Sequence, residues 1–163
     1  MKPENETNRA EVELVSFRAD LAPSFESLNR RWIEAYFQVE AADLEVFSDP
    51  YARIVEPGGQ IFFVLEDGEP RGTCAVIRCD ATTFELAKMA VDPAAQGGGY
   101  GNLLIKRAIE FARESGAEKL MLLTNSRLDT AIHLYEKYGF KRVPISHGDH
   151  YSRVDVEMEL DVR

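Results

Sequence analysis

The spacing of hydrophobic residues in the first half of the chain predicts a strand, two helices and three more strands. Apolar residues alternate over residues 11–19, as in a strand, and recur every three or four positions over residues 24–37, as in a helix. A weaker helical pattern over residues 41–55 is interrupted at Asp49–Pro50, because proline cannot continue a helix without losing a hydrogen bond. The next three strands are predicted at residues 60–65, 72–79 and 82–91. The Asp67–Gly68 pair indicates a tight hairpin, so these strands form an antiparallel meander.

A glycine cluster opens the second half of the chain, which continues as helix, strand and helix. Beyond this cluster, Leu104, Ala108 and Phe111 lie on one helical face, and Gly116 is placed to end that helix. The remaining elements are a strand at 119–124, a helix at 128–138 and strands at 140–144 and 153–160. Antiparallel strands followed by a strand–helix–strand unit predict an α/β (α+β) fold with a partly parallel sheet.

Length and composition fit one globular domain. The chain has 163 residues, and its 45% hydrophobic content is enough to bury a core. The net charge of −9 argues against nucleic-acid binding, because phosphates select basic surfaces. Residues 86–143 carry a net charge of +3, which suits a small anionic ligand, although ordinary variation along a chain explains it equally well. We expect residues 1–10 to be a flexible tail and residues 11–163 to be a single domain.

The sequence also predicts a cytoplasmic protein that binds neither a membrane nor a metal. No stretch approaches the roughly 18 apolar residues needed to cross a bilayer, and the first residues are polar and acidic, unlike a signal peptide. Cys74 and Cys79 lie five positions apart in one predicted strand, which argues against a disulfide. His147, Asp149 and His150 lie in a loop that offers no fixed scaffold for a metal.

The glycine cluster has the chemistry of an anion-binding loop. A predicted strand ends at Val91, four glycines follow between positions 97 and 101, and a helix begins there. Glycines allow close approach of the backbone, and a helix N-terminus presents N–H groups and a partial positive charge, so a pyrophosphate fits. The alternative is a flexible surface loop.

Two familiar nucleotide motifs do not match this loop. A P-loop requires G-x-x-x-x-G-K-[ST], and no glycine here is followed by lysine and then serine or threonine. A dinucleotide fingerprint requires a third glycine, where this chain has Asn102 or Leu104. It also requires an acid about 20 residues later, where Asn125 stands.

The pattern that does fit is Q-x-x-G-x-G, formed by Gln96, Gly99 and Gly101. In this motif the chain resembles the GCN5-related N-acetyltransferase (GNAT) superfamily, whose coenzyme A loop reads Q/R-x-x-G-x-G/A. Two neighbouring segments strengthen the resemblance. Residues 85–91 (ELAKMAV) are similar to the family's central strand, and residues 134–140 (LYEKYGF) to its L-Y-E-K-x-G-F signature.

The resemblance implies a mixed sheet of about six to seven strands with about four helices, splayed where the pantetheine arm of acetyl-CoA enters. The backbone of Met89, Ala90 and Val91 would pair with that arm like an added strand. Asn125, after the next predicted strand, would hydrogen-bond the arm or cap the next helix. The residues implied at the pyrophosphate are Gln96, Gly97, Gly98, Gly99, Tyr100, Gly101 and Asn102.

The implied activity is transfer of an acetyl group from acetyl-CoA to a primary amine by direct attack in a ternary complex. A backbone N–H near Met89–Ala90 would stabilise the oxyanion. For Tyr135, helical spacing alone favours a place in the core, whereas the resemblance implies that it protonates the departing thiolate. The chemistry is reasonable, since a phenol with a pKa of about 10 can donate to a thiolate whose conjugate acid has a pKa near 8.5.

Glu85 is the candidate base. It lies eleven residues before Gln96, the spacing at which histone-acetylating members of the family carry their catalytic glutamate. In an unbulged strand it would share a face with Ala87, Met89 and Val91. The alternative is a strand acid that binds the substrate's ammonium group without catalysing the reaction.

Two rival functions stay open at this point. One is a non-catalytic CoA-binding sensor or regulatory module, and the other is a nicotinamide-dinucleotide-binding protein, which lacks the residues named above. The partner is expected to be a small-molecule or peptide amine. The acidic remainder of the chain, which carries a net charge of −12, favours a cationic one such as a polyamine, an aminoglycoside or a basic peptide end. A homodimer is also possible, since dimers are common in the family.

Overall fold

The computed structural model describes residues 10–147 and 151–163, which form a seven-stranded mixed sheet with helices on both faces. The strands are β1 (Val12–Ser16), β2 (Gln60–Glu66), β3 (Glu69–Arg78), β4 (Thr83–Val91), β5 (Lys119–Thr124), β6 (Lys141–Val143) and β7 (Val156–Asp161). Their order in the sheet is β1-β2-β3-β4-β5-β7-β6, and β4 and β5 are its one parallel pair. The predicted mixed sheet with an antiparallel meander first is confirmed.

Four longer helices cover the sheet, two on each face. They are α1 (Ala22–Tyr36), α2 (Ala41–Ser48), α3 (Tyr100–Glu114) and α4 (Asp129–Lys137). The interrupted pattern over residues 41–55 corresponds to α2 and a separate π-helical turn at Tyr51–Val55, with Pro50 between them. Apolar residues of α1 and α2 pack in one core, and those of α3 and α4 pack in another on the opposite face.

The turns follow the backbone chemistry that the sequence indicated. Asp67 and Gly68 both have positive φ, at 50° and 82°, as the tight hairpin between β2 and β3 requires. Gly116 follows the end of α3 with a φ of 79°, a conformation that favours glycine. The meander is therefore closed by short turns, and β3 begins earlier than predicted, at Glu69, because it pairs with β2 directly from the hairpin.

The parallel ladder between β4 and β5 is short. Its pairs join Thr83, Phe84 and Glu85 of β4 to Lys119, Leu120 and Met121 of β5. Beyond Glu85 the two strands diverge, while β4 stays paired to β3 up to Val91 and β5 stays paired to β7. The predicted splay of the sheet is present, and it leaves one backbone edge of β4 open.

A β-bulge at Lys88 changes the faces of β4. Lys88 has a φ of 52°, which is uncommon for a residue other than glycine, and the β3–β4 register shifts opposite it. Met89 therefore packs on the same side as Phe84 and Leu86, next to the α3 core. The expectation for an unbulged strand, with Glu85, Met89 and Val91 on one face, is wrong for this reason.

Both cysteines are free, as the sequence predicted. Cys74 is buried in the sheet, whereas Cys79 follows the end of β3 and is exposed. None of the helices in the described ranges has the length and apolar composition needed to cross a membrane. Residues 1–9, most of the predicted tail, lie outside the described residues.

Candidate active site

A cavity lies at the point where β4 and β5 diverge. Its volume is about 770 Å³ when the open mouth is included. Five elements contribute to its wall: α1, β4, the end of β5 with the loop that follows, α4, and the loop before β7. The lining residues are Asn29, Trp32, Ile33, Phe37, Glu85, Leu86, Ala87, Lys88, Met89, Leu123, Thr124, Asn125, Leu128, Tyr135, Tyr151, Arg153 and Val154. Both predicted catalytic residues, Glu85 and Tyr135, are among them.

The glycine loop continues from the end of β4. Asp92 is buried, accepts a hydrogen bond from Ala94 N–H at 2.9 Å and pairs with Arg71 at 3.3 Å, so the start of the loop is anchored. Gly97 and Gly99 have φ of 88° and 79°, backbone conformations that favour glycine. These two turns place the first residue of α3 directly after Gly99.

The first turn of α3 presents backbone donors. The N–H groups of Tyr100, Gly101 and Asn102 have no carbonyl four residues earlier within the helix, as at any helix N-terminus. The N–H of Gly98 is directed back to the Ala95 carbonyl at 3.4 Å, and its contact with a pyrophosphate stays a prediction. Gln96 lies exposed at the beginning of the loop. The loop thus has the donors that a pyrophosphate needs.

The side chains around the start of α3 hold it in place. The Tyr100 hydroxyl donates a hydrogen bond to the Glu66 carboxylate of β2. The Asn102 amide oxygen accepts hydrogen bonds from the Tyr138 hydroxyl at 2.7 Å and from Lys137 Nζ at 3.0 Å. The Tyr100 hydroxyl is therefore engaged with β2, and the Asn102 amide oxygen is engaged with the end of α4.

Tyr135 packs in the core and also lines the cavity, and its role as proton donor stays a prediction. The residue is 9% exposed and its ring packs edge-on against Phe140, with ring centroids 6.0 Å apart. It also lines the cavity, and its hydroxyl makes no hydrogen bond within the described residues. Burial, together with the nearby Cys74 thiol, raises the pKa of Tyr135 above its usual value, so the hydroxyl keeps its proton at neutral pH.

Glu85 is half-buried in the middle of the sheet, at the last pair of the short β4–β5 ladder. Its neighbours across the sheet are Ile77 on β3 and Met121 on β5. It lies on the side of β4 opposite Phe84 and Leu86, which face the α3 core. The role of Glu85 as a base stays a prediction, and so does its alternative role in binding an ammonium group.

Asn125 lines the cavity but is largely engaged with its own loop. Its Nδ2 donates to the Arg153 carbonyl at 2.7 Å, and its Oδ1 accepts from Arg127 N–H at 2.9 Å. These bonds order the turn before α4, whose first residue is preceded by Leu128 rather than by Asn125. A hydrogen bond from Asn125 to a pantetheine arm stays a prediction.

A buried ion cluster, which the sequence analysis missed, forms one end of the cavity. Asp43 of α2 is fully buried and accepts hydrogen bonds from Lys88 Nζ and from both terminal nitrogens of Arg153, at 2.9 and 2.7 Å. Lys88 also donates to the Tyr151 hydroxyl at 3.0 Å, and Arg153 pairs with Glu40 at 3.1 Å. The cluster joins α2, the β4 bulge and the loop before β7.

No local pattern could have revealed this cluster, because Lys88 and Arg153 lie 45 and 110 residues from Asp43 in the chain. Asn29 was also missed, but here the sequence holds a signal. It stands four residues after Phe25 and four before Ile33, on the buried side of α1. A polar residue on an apolar helical stripe indicates a specific polar contact.

Only one of the three loop residues considered as metal ligands, His147, is among the described residues. Among residues 10–147 and 151–163, no three His, Cys, Asp or Glu side chains are grouped so as to hold a metal ion. His147 bonds with Glu157 and Ser146. Asp149 and His150 lie outside the described residues.

Comparison with known proteins identifies the family. Residues 22–140 match the family described as Acetyltransferase (GNAT) family. The chain belongs to the GNAT family. It is 30% identical over 138 residues to the uncharacterised N-acetyltransferase YjgM of Escherichia coli K12, a match that covers 80% of this chain and 82% of YjgM. The GNAT assignment makes this protein an acyltransferase.

Solved GNAT structures share the fold at low sequence identity. An acetyltransferase of the GNAT family from Staphylococcus aureus Mu50 superimposes with a TM-score of 0.85 at 16% identity, covering 94% of this chain and all of that one. A GNAT superfamily phosphinothricin acetyltransferase from Sinorhizobium meliloti, in complex with AcCoA, gives a TM-score of 0.75 at 16% identity. That match covers 92% of this chain and 88% of the other.

The ion cluster predicts that stability depends on Asp43 and falls in acid. Burial alone would raise the pKa of Asp43, but the hydrogen bonds from Arg153 and Lys88 outweigh it and lower the pKa from 3.8 to about 2. The ionised carboxylate therefore stabilises the fold above pH 3.8, and this stabilisation is lost as the pH falls towards 2. Asp43→Asn should lower the free energy of unfolding at pH 7 by about 3 kcal/mol, measured by urea denaturation.

The matched control for this prediction is Asp20→Asn, which removes an exposed ion pair with Arg18 and should cost at most about 1 kcal/mol. Between pH 7 and pH 3 the Asp43→Asn protein should lose less stability than the wild type. An equal loss in both would show that Asp43 does not govern the acid response.

Proposed function

We propose that this GNAT acyltransferase moves the acetyl group of acetyl-CoA to the primary amine of a small molecule or peptide. The observation that carries the proposal is the cavity at the divergence of β4 and β5. A candidate base, Glu85, and a candidate acid, Tyr135, face this one space, next to the open edge of the strand that leads into the glycine loop.

The chain has groups that fit acetyl-CoA. The open edge of β4 at Met89–Val91 offers backbone partners to the pantetheine arm, as an added strand would use them. The turns at Gly97 and Gly99 and the first turn of α3 offer N–H donors to the pyrophosphate. The bound AcCoA of the phosphinothricin acetyltransferase, which has the same fold, supports this assignment.

The reaction is a direct attack in a ternary complex. The amine nitrogen forms a bond to the acetyl carbon, and the carbon–sulfur bond of the thioester breaks. Glu85 takes the proton that the amine loses, directly or through water, and Tyr135 gives a proton to the departing thiolate. A backbone N–H near Met89–Ala90 stabilises the oxyanion that forms between these steps.

The environment of Tyr135 suits proton donation. Because its pKa is raised, the hydroxyl is protonated throughout the neutral range and has no competing hydrogen bond in the described structure. A thiolate in the same partly dry cavity is also poorly solvated, which raises the pKa of its conjugate thiol. The two shifts act in the same direction, so transfer from phenol to thiolate stays feasible.

The proposal also includes the cellular location of the protein. We place the protein in the cytoplasm, where thiols stay reduced, and the two free cysteines, Cys74 and Cys79, support this.

The first experiment is a calorimetric titration with acetyl-CoA, with NAD and ATP as controls. Acetyl-CoA alone should bind, and Gly99→Ala should weaken its binding about tenfold, because a side chain at this positive φ strains the turn that presents the N–H groups. Gly68→Ala is the matched control, since Gly68 has a similar φ of 82° and open space around it but lies in the β2–β3 hairpin.

Absence of acetyl-CoA binding to the folded protein would refute the proposed function. Equal affinities of the two glycine variants for acetyl-CoA would instead show that the pyrophosphate does not bind at the glycine loop. Binding of acetyl-CoA without turnover of any amine would favour the non-catalytic sensor.

Tyr135→Phe should lower kcat about a hundredfold and leave the affinity for acetyl-CoA unchanged. The phenylalanine ring keeps the packing on Phe140, and the substitution removes only the hydroxyl. Steady-state kinetics with an accepted amine measure kcat, and calorimetry measures the affinity. Tyr51→Phe, the same change on an exposed tyrosine outside the cavity, is the control. An unchanged kcat would remove Tyr135 from the mechanism.

Glu85→Gln should lower kcat/KM at pH 7 at least tenfold, with a loss in kcat. Glutamine keeps the size and polarity of the side chain but cannot accept the proton of the amine. Steady-state kinetics at pH 7 measure kcat and KM separately. A higher KM with an unchanged kcat would show that Glu85 binds the ammonium group without acting as a base.

A further inference from the structure

Asn29 is the most deeply buried polar residue on the cavity wall. It lies on the second turn of α1, lines the cavity and is 1% exposed. Its Nδ2 donates a hydrogen bond to the Phe25 carbonyl, one turn earlier, at 2.9 Å. This bond fixes the orientation of the amide, because the opposite orientation would set two oxygen atoms against each other.

The other end of the amide is available to a ligand. Within residues 10–147 and 151–163, no group donates a hydrogen bond to Oδ1 of Asn29. No side-chain polar atom that is fully buried in these ranges lacks a hydrogen-bond partner. The Oδ1 atom of Asn29 therefore retains some solvent-accessible surface, and we infer that this surface faces the cavity that Asn29 lines. A buried acceptor held in this way favours a ligand that brings an N–H donor.

The two cations on the cavity wall are paired within the protein. Lys88 and Arg153 line the wall, but both donate to Asp43, and Arg153 also pairs with Glu40. The two cations are thus compensated within the protein, and they offer little attraction to an anionic ligand.

Two aromatic rings lie beside Asn29 on the same wall. Trp32 follows it by three residues on α1, and Phe37 follows the end of the helix. Their ring centroids are 6.4 Å apart, so they form one apolar surface. An ammonium group at Asn29 would have its carbon substituent over these rings.

We propose that Asn29 is a specificity-determining residue of the acceptor site. Its Oδ1 accepts a hydrogen bond from the acceptor's ammonium group, and Trp32 and Phe37 contact the apolar carbon group attached to that nitrogen. The substrate class is a primary amine with an apolar or aromatic substituent. This inference rests on the proposed function and names the acceptor of the same site.

The chain has a single tryptophan, Trp32, and its fluorescence therefore reports on this wall alone. We would titrate the wild-type protein, with and without CoA, with 2-phenylethylamine, the neutral 2-phenylethanol and the anionic 3-phenylpropanoate. The amine should change the fluorescence saturably and bind at least tenfold more tightly than the other two compounds. This comparison needs no variant and so does not depend on how a substitution folds.

Asn29→Leu should then weaken binding of 2-phenylethylamine about tenfold to a hundredfold, the usual effect of losing a hydrogen bond to a charged group. Binding of 2-phenylethanol should change much less. Ser27→Ala, on the exposed side of the same helix, is the matched control and should bind the amine as the wild type does. Circular dichroism confirms that the variants are folded.

Preferred binding of 3-phenylpropanoate, or no saturable change with the amine, would overturn the inference. Unchanged amine affinity in a folded Asn29→Leu protein would do the same. The calorimetric titration with acetyl-CoA decides separately on the proposed function. Acetyl-CoA binding together with failure of the amine titration would refute the role of Asn29 and leave the acetyltransferase assignment intact.

Discussion

Strands β4 and β5 pair over only three residues, and the site depends on this interruption of the sheet. Backbone N–H and C=O groups inside a protein must find partners, and the edge of β4 beyond Glu85 has lost those that β5 would supply. A ligand with amide groups of its own can replace them. The divergence also opens a cavity in the middle of the sheet, where a partly dry environment strengthens each polar interaction.

The bulge at Lys88 lies just beyond this interruption, in the ladder between β3 and β4, and the ion cluster around Asp43 forms there. A positive φ at a lysine is unfavourable by itself, and the buried bond to Asp43 offsets it. Through Arg153, the same carboxylate holds the loop before β7 against α2. One buried acid thus fixes three elements at one end of the cavity, and each of them is positioned relative to the others.

In the proposed function, backbone groups bind the coenzyme and side chains bind the acceptor. The backbone of β4 and the first turn of α3 would contact the coenzyme, whose binding would then depend on glycine conformations. Side chains of α1, β4 and α4 line the cavity and would surround the reacting groups. Under this proposal, the acceptor specificity depends on side chains and the coenzyme site on the backbone.

Hydrophobic periodicity and turn chemistry predicted α1, α3, β5 and the meander, because both act over a few residues. The spacing of Gln96, Gly99 and Gly101 indicated the family. Tertiary structure alone decided the bulge at Lys88 and the faces of β4 beyond it, because these depend on pairing with a distant strand. It also decided the Asp43 cluster and the open oxygen of Asn29. Which buried polar groups find partners is settled by residues far apart in the chain, and local spacing carries no information about them.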